Sequence, residues 1–196
     1  VAEVVSLVRT AVEIQREQGS LGTGLAGLVK PGDQDLQPAL QDWMRYWRRR
    51  GLPERHSLLA DPGRGSACKR LYLMARWLVR RDEVDPGGWD SIRPALLLVP
   101  VDVHLHRMAR VLGFTRRRAA DLVTVREITE GFRRLEPADP ARYDFALTRL
   151  ALHARLPWPA IHDRLQVRPG RRVGRTVNHP KITVVRLTQS SYSDNH

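Results

Sequence analysis

Residues Pro100 to Gly113, PVDVHLHRMARVLG, place a single carboxylate, Asp102, two residues after a proline and at the head of a helical pattern. A carboxylate there can do two things. It can cap the helix, its oxygens accepting the first free backbone N–H groups, or it can stand ionised in a cleft and face positive charge that develops during a reaction. Asp102, His104 and His106 also spell D-x-H-x-H. Positions two apart on a helix point in different directions, which argues against a shared metal. No metal and no cofactor are expected.

The second candidate is Lys69. Of 33 basic residues only Lys30, Lys69 and Lys181 are lysine, so this chain writes its cations as arginine almost everywhere. Arginine stays charged at any working pH, whereas a lysine amine freed of its proton can attack a carbon and form a Schiff base. The plain alternative is a surface lysine beside Arg70. Lys69 follows GRGSAC, in which Gly63 and Gly65 flank Arg64, and Ser66 stands where it can cap the helix that contains the lysine. Backbone N–H groups of such a turn can hold a phosphate. A glycine-rich turn with an ordinary cap reads the same way.

Helices must position these residues. Val1, Val4, Val5, Val8, Ala11 and Val12 recur at helical spacing and predict a first helix with that stripe inward, stopped at Gly19. Pro38 suits the first turn of a second helix whose stripe is Leu40, Trp43, Met44 and Trp47, ending in Arg48, Arg49 and Arg50. A third is expected from about Ser66 to Arg81, with Leu71, Met74, Ala75 and Leu78 on one face, and a loop from Asp82 to Pro94. Asp102 to Leu112 reads as a helix, and Thr115 as the cap of a short one through Leu122. Thr124 and Glu127 match a capping box, with Ile128, Phe132 and Leu135 inward, and Asp139 before Pro140 is expected to open a last helix. No strand alternation precedes residue 180. The fold class is all-α.

Composition frames this. A chain of 196 residues, 42% hydrophobic, can bury one main core, and no apolar run approaches a membrane span. One cysteine, Cys68, excludes an internal disulfide and a Cys-rich metal site. A soluble, cytoplasmic monomer is expected. The formal charge of +12 invites a nucleic-acid partner, but seven basic residues against Asp194 give residues 164–196 half of it. The domain boundaries expected are therefore 1–163, helical, and 164–196, a basic and poorly ordered tail.

The segment VPVDVHLHRMARVLG closely resembles the one around the catalytic aspartate of the helix–hairpin–helix DNA glycosylases, an apolar-Pro-Val-Asp-x-His pattern with an arginine and an Ala-x-x-Leu after it. A wider resemblance runs through GSLGTGL, LLADPGRGSACKRLYLMARWLVR, PVDVHLHRMARVLGFTRRRAAD, EIT and DPARYDFAL, roughly residues 5–152. It is to an uncharacterised bacterial family known as a domain of unknown function (DUF2400-like), itself similar at a distance to the glycosylases. The resemblance implies two helical lobes with DNA across the cleft. The first residue is Val rather than Met, and an upstream part of the family's domain is expected to be missing.

The resemblance also implies roles. Asp102 sits on the motif's aspartate, and Lys69 lies in the helix after the hairpin, as in archaeal 8-oxoguanine glycosylases. In most of these enzymes the lysine stands two residues after the second glycine of Pro-Gly-x-Gly; here Ala67 does, and Lys69 stands two further on. On this reading an everted nucleotide would meet Asp102, which stabilises the sugar cation, and Lys69, which attacks the sugar carbon. Phosphates would be held by Gly63, Arg64, Gly65, Ser66, Arg70, Arg107, Arg116, Arg117 and Arg118 without base readout. Trp77 and Trp89 are candidates to stack on a base, packing being the stronger expectation for Trp77. Two other classes fit the same residues: a nucleic-acid-binding module without chemistry, and a helical interaction domain.

Overall fold

A computed structural model describes residues 1–153; the basic tail and its boundary lie outside the described residues. There the chain is all helical, with no strand and no helix long and apolar enough to cross a membrane. The helices are α1 (Ala2–Gln18), α2 (Leu21–Ala26), α3 (Gln37–Arg49), α4 (Lys69–Val79), α5 (Val103–Val111), α6 (Leu122–Arg133) and α7 (Asp144–His153), with 3-10 turns at Pro62–Arg64 and Pro94–Leu96.

The α3 stripe is as the spacing predicts: Leu40, Trp43, Met44 and Trp47 are all buried. Trp43 meets Trp47 edge-on at 4.7 Å and Trp89 at 5.9 Å, the geometry aromatic quadrupoles favour. The apolar run before Asp102 is buried from Leu96, the end of the second 3-10 turn, to Pro100. Its backbone is satisfied at a distance, Leu96 accepting from Leu36 N–H at 2.8 Å and Val99 donating to Thr129 Oγ1 at 3.0 Å. The start of α5 is thus anchored from both sides.

Several expectations are corrected. The valine stripe of α1 faces outward: Val1, Val4, Val5, Val8 and Val12 are exposed, and Thr10 and Ile14 are the buried residues. The unforeseen helix α2 starts at a reciprocal Ser20–Thr23 capping box. Helix α4 starts at Lys69 rather than Ser66, because Gly65 and Cys68 both take left-handed backbone, which interrupts the helix, and Ser66 pairs with Asp121 in an isolated bridge. Thr115 opens no helix; its hydroxyl donates to Glu127 and accepts from Arg117 N–H. Asp121, not Thr124, caps α6. The helix ends at Arg133, so Leu135 falls outside it, 36% exposed. The last helix starts at Asp144, since Asp139 is engaged by Arg80 instead.

The sequence also hid a buried ionic cluster. Arg76 on α4 and Arg80 at its C-cap are 2% and 6% exposed. Arg76 reaches Asp85 at 3.1 Å and Asp144 at 2.9 Å. Arg80 reaches Asp82 and Asp139, each at 2.8 Å, and donates to Asp85 as well. The cluster ties α4 to the 82–85 loop and to the head of α7, which packs on α5.

One close approach gives a test of packing. A Cβ at Gly131 would stand 2.4 Å from Phe114 Cγ, and that ring is already edge-on to Phe132 at 4.9 Å. Gly131→Ala should therefore lose about 1–2 kcal/mol in urea unfolding despite alanine's better helix propensity. Adding Phe114→Leu should recover most of it. A neutral or stabilising Gly131→Ala would show that the ring yields freely.

Candidate functional site

Asp102 is extended at the N-cap of α5, and its two oxygens do different work. Oδ1 accepts from His104 N–H at 3.0 Å and Leu105 N–H at 2.8 Å, satisfying two donors that every helix start leaves free. Oδ2 faces Lys69 Nζ at 3.3 Å. The capping and the pairing are simultaneous, so the two readings of Asp102 are not exclusive. Its side chain is 18% exposed and that of Lys69 46%, which places the pair at the surface with the carboxylate recessed.

Lys69 is the first residue of α4, where the macrodipole disfavours a cation. Asp102 supplies the opposing charge. The residue before it, Cys68, is the only described non-glycine residue with positive φ, at 40°. A left-handed residue with a Cβ costs about 1–3 kcal/mol and persists where its surroundings hold it. Here Cys68 is buried, its N–H is 3.4 Å from Ser66 Oγ, and its thiol points to Ala60 O at 3.7 Å. Burial pushes the thiol up to about 11, so it is neither thiolate nor nucleophile near neutral pH. The turn at Cys68 leads directly into α4, whose first residue brings its amine to Asp102.

The turn at Pro62–Gly65 is packed on α3. Gln37 Nε2 donates to Pro62 O at 3.2 Å, and a Cβ at Gly63 would stand 2.6 Å from Gln41 Nε2, so the turn lies close against α3. Gly63 N–H donates to Asp61 Oδ1 at 2.8 Å and Arg64 N–H to Asp61 O at 3.2 Å. Two of the amides that could cradle a phosphate are therefore engaged within the turn. Gly65 O accepts from Leu122 N–H at 2.8 Å, which fastens the turn to the start of α6.

The arginines divide into two groups. Arg64, Arg116 and Arg118 are exposed, and Arg64 lies 3.6 Å from Asp61. Arg107 is exposed on α5. Arg117 is a brace: it donates to Asp121 and, at 3.0 Å, to Thr124, while its carbonyl faces His106 Nε2 at 3.1 Å. Arg70 donates to Ser57 O at 2.8 Å, away from Asp102's cap. These bonds join the 62–65 turn, the 116–121 loop and the heads of α4 and α5 into one contiguous surface. Trp77 and Trp89 reverse the packing expectation: Trp77 is 45% exposed and Trp89 only 8%.

Sequence reasoning missed a groove beside this surface, about 400 Å³, with Glu3, Glu54, His56, Ser57, Asp61 and Arg64 among its lining residues. It adjoins the head of α4 through Ser57 and Ala60, the partners of Arg70 and Cys68. Neither Lys69 nor Asp102 lines it, and nothing in the spacing of these residues marks it in the sequence. Among the described residues no group of three or more His, Cys, Asp or Glu is placed to hold a metal ion.

No curated protein matches the chain, and no solved structure matches it either. The family described as Protein of unknown function (DUF2400) matches residues 1–153, and the chain belongs to that family.

Proposed function

We propose that this is a DNA-binding domain of the helix–hairpin–helix glycosylase type, with two helical lobes, that excises a damaged base using Lys69 and Asp102. The observation that carries the reading is the 3.3 Å approach of Lys69 Nζ to Asp102 Oδ2, two groups 33 positions apart brought together at two helix starts. Lys69 must first shed its proton to solvent, which leaves Asp102 Oδ2 ionised beside the amine. The amine then attacks C1′ of an everted nucleotide as the C1′–N bond to the base breaks, its electron pair leaving with the base. Asp102 opposes the positive charge that builds on the sugar. Ring opening gives an iminium, and loss of a C2′ proton expels the 3′ phosphate. Arg64, Arg116 and Arg118 would hold the backbone, while Arg117 positions the loop.

The test is incubation with duplexes carrying a panel of lesions, followed by borohydride, which reduces the iminium to a stable covalent adduct. The parent should be trapped on at least one lesion. Lys69→Gln should abolish trapping and leave duplex affinity within a few-fold, because one cation among many phosphate contacts matters little. A parent that binds duplex with a steep salt dependence but cleaves no lesion leaves the non-catalytic binding module, which the exposed arginines favour. A parent that binds no nucleic acid removes both readings.

A further inference from the structure

The ionic cluster under α7 is unbalanced. In its buried part, Asp85 is shared by Arg76 and Arg80, and Asp144 has Arg76 alone. Arg80 is in turn divided among Asp85, Asp82 and Asp139, whose side chains are 40% and 20% exposed. Four carboxylates thus divide two guanidinium groups. The shortage shows in the bonding: Asp85 Oδ1, Asp139 Oδ1 and Asp144 Oδ1 have no hydrogen-bond partner, although all three are shielded from solvent. Arg76 Nε lies 2.9 Å from Asp144 Oδ1 but out of hydrogen-bond alignment. A buried carboxylate so poorly paired neutralises itself by taking a proton.

We propose that the Arg76, Arg80, Asp85 and Asp144 cluster is a proton-linked clamp, which docks the head of α7 on α4 when Asp144 is protonated and loosens when Asp144 ionises. Asp144 is the member that takes the proton because it has the least cationic company. Burial is the largest influence on it and pushes it up to about 7, against Arg76, the Phe145 N–H and Arg80, which favour the ionised form; Asp85 acts in the same sense as burial. Asp85 is also raised, chiefly by burial, but two arginines oppose this. Asp82 and Asp139 act through Arg80. Helix α5, the other element under α7, carries His104, His106, Arg107 and Arg110, and none of these is among the largest influences on Asp144.

The sign follows from linkage. The unfolded carboxyl titrates near 4 and the folded one near 7, so folding takes up a proton between those values. The stabilisation is complete below about pH 4 and is lost as pH rises through about 7. Loosening would reach the candidate site through α7, which rests on α5, the helix that Asp102 caps.

Melting temperatures of the full chain and of Asp144→Asn, measured from pH 5.5 to 8, test this. Asparagine has the same shape and cannot ionise. The variant should already melt higher at pH 5.5, where part of the linked stabilisation is gone, and the gap should widen to about pH 7 and then hold, reaching on the order of 5 °C at pH 8. A ¹³C-carboxyl titration of the parent's aspartates checks the group directly, with Asp144 expected to change between pH 6 and 8. Amide exchange over residues 144–148 of the parent should also gain, relative to α3, more than base catalysis explains over the same interval. Parallel melting curves, an Asp144 midpoint below pH 5, or unchanged relative exchange in α7 would each overturn the clamp.

Discussion

Replacing Arg76 by methionine should lower the stability of the protein by about 3–5 kcal/mol, the usual scale when one partner of a buried ion pair is removed. Methionine fills much of the volume and preserves the α4 helix, so the loss is electrostatic. Two carboxylates, Asp85 and Asp144, are 0% and 5% exposed and both lean on this guanidinium. Asp144 can escape by protonation, whereas Asp85 then depends on Arg80 alone. The contrast is Arg45→Met. Arg45 pairs with Asp42 at the surface, half exposed, and its loss should cost less than about 1 kcal/mol. Urea midpoints of the two variants decide the matter, and an Arg76→Met loss no larger than that of Arg45→Met would mean the cluster contributes packing and little else.

Asp102→Asn should separate the two duties of that residue. Asparagine caps a helix about as well as aspartate, so its side-chain oxygen can still accept from His104 and Leu105 N–H and the melting temperature should barely move. The charge opposite Lys69 disappears. Base excision, as proposed, should then fall by about 10²-fold or more, the scale of losing one electrostatic stabiliser of a transition state. Asp102→Leu should lose the cap as well, with about 1 kcal/mol of stability. An Asp102→Asn protein that cleaves at the parent's rate would reduce Asp102 to a cap.

What the sequence makes legible is short in range. The α3 stripe can be read because four large apolar residues at helical spacing leave only one face for the core. The cap at Asp102 can be read because a cap is a contact between near neighbours. Lys69 stands out by rarity, and its pairing with Asp102 follows from motif rather than spacing. The valines of α1 mislead because periodicity says which side of a helix is apolar and not where its neighbours lie; α1 meets α2 and α3, and its buried residues are Thr10 and Ile14. Around α6, Thr115, Asp121 and Thr124 are all competent caps, and the choice is made by a distant bond, Gly65 O to Leu122 N–H. Arg76 and Arg80 mislead differently. Charged residues on a helix read as a solvated face, and only the carboxylates arriving from residues 82–85 and 139–144 allow them inside.

The fastening of Gly65 to Leu122, with Lys69 drawn to a carboxylate 33 residues later, bears on how the protein is made. A nascent chain leaves the ribosome N-terminal end first, at about 5–20 residues per second. While it is short enough that Leu122 is still inside, the glycine turn can rest on α3 but has no bond to α6, and Ser66 has no Asp121 to pair with. Closing so long a loop costs entropy before any contact repays it. The candidate site is therefore a late product of synthesis, absent from every N-terminal fragment that stops short of α6, and a translation product truncated there would carry the lysine and the aspartate without the surface that holds them together.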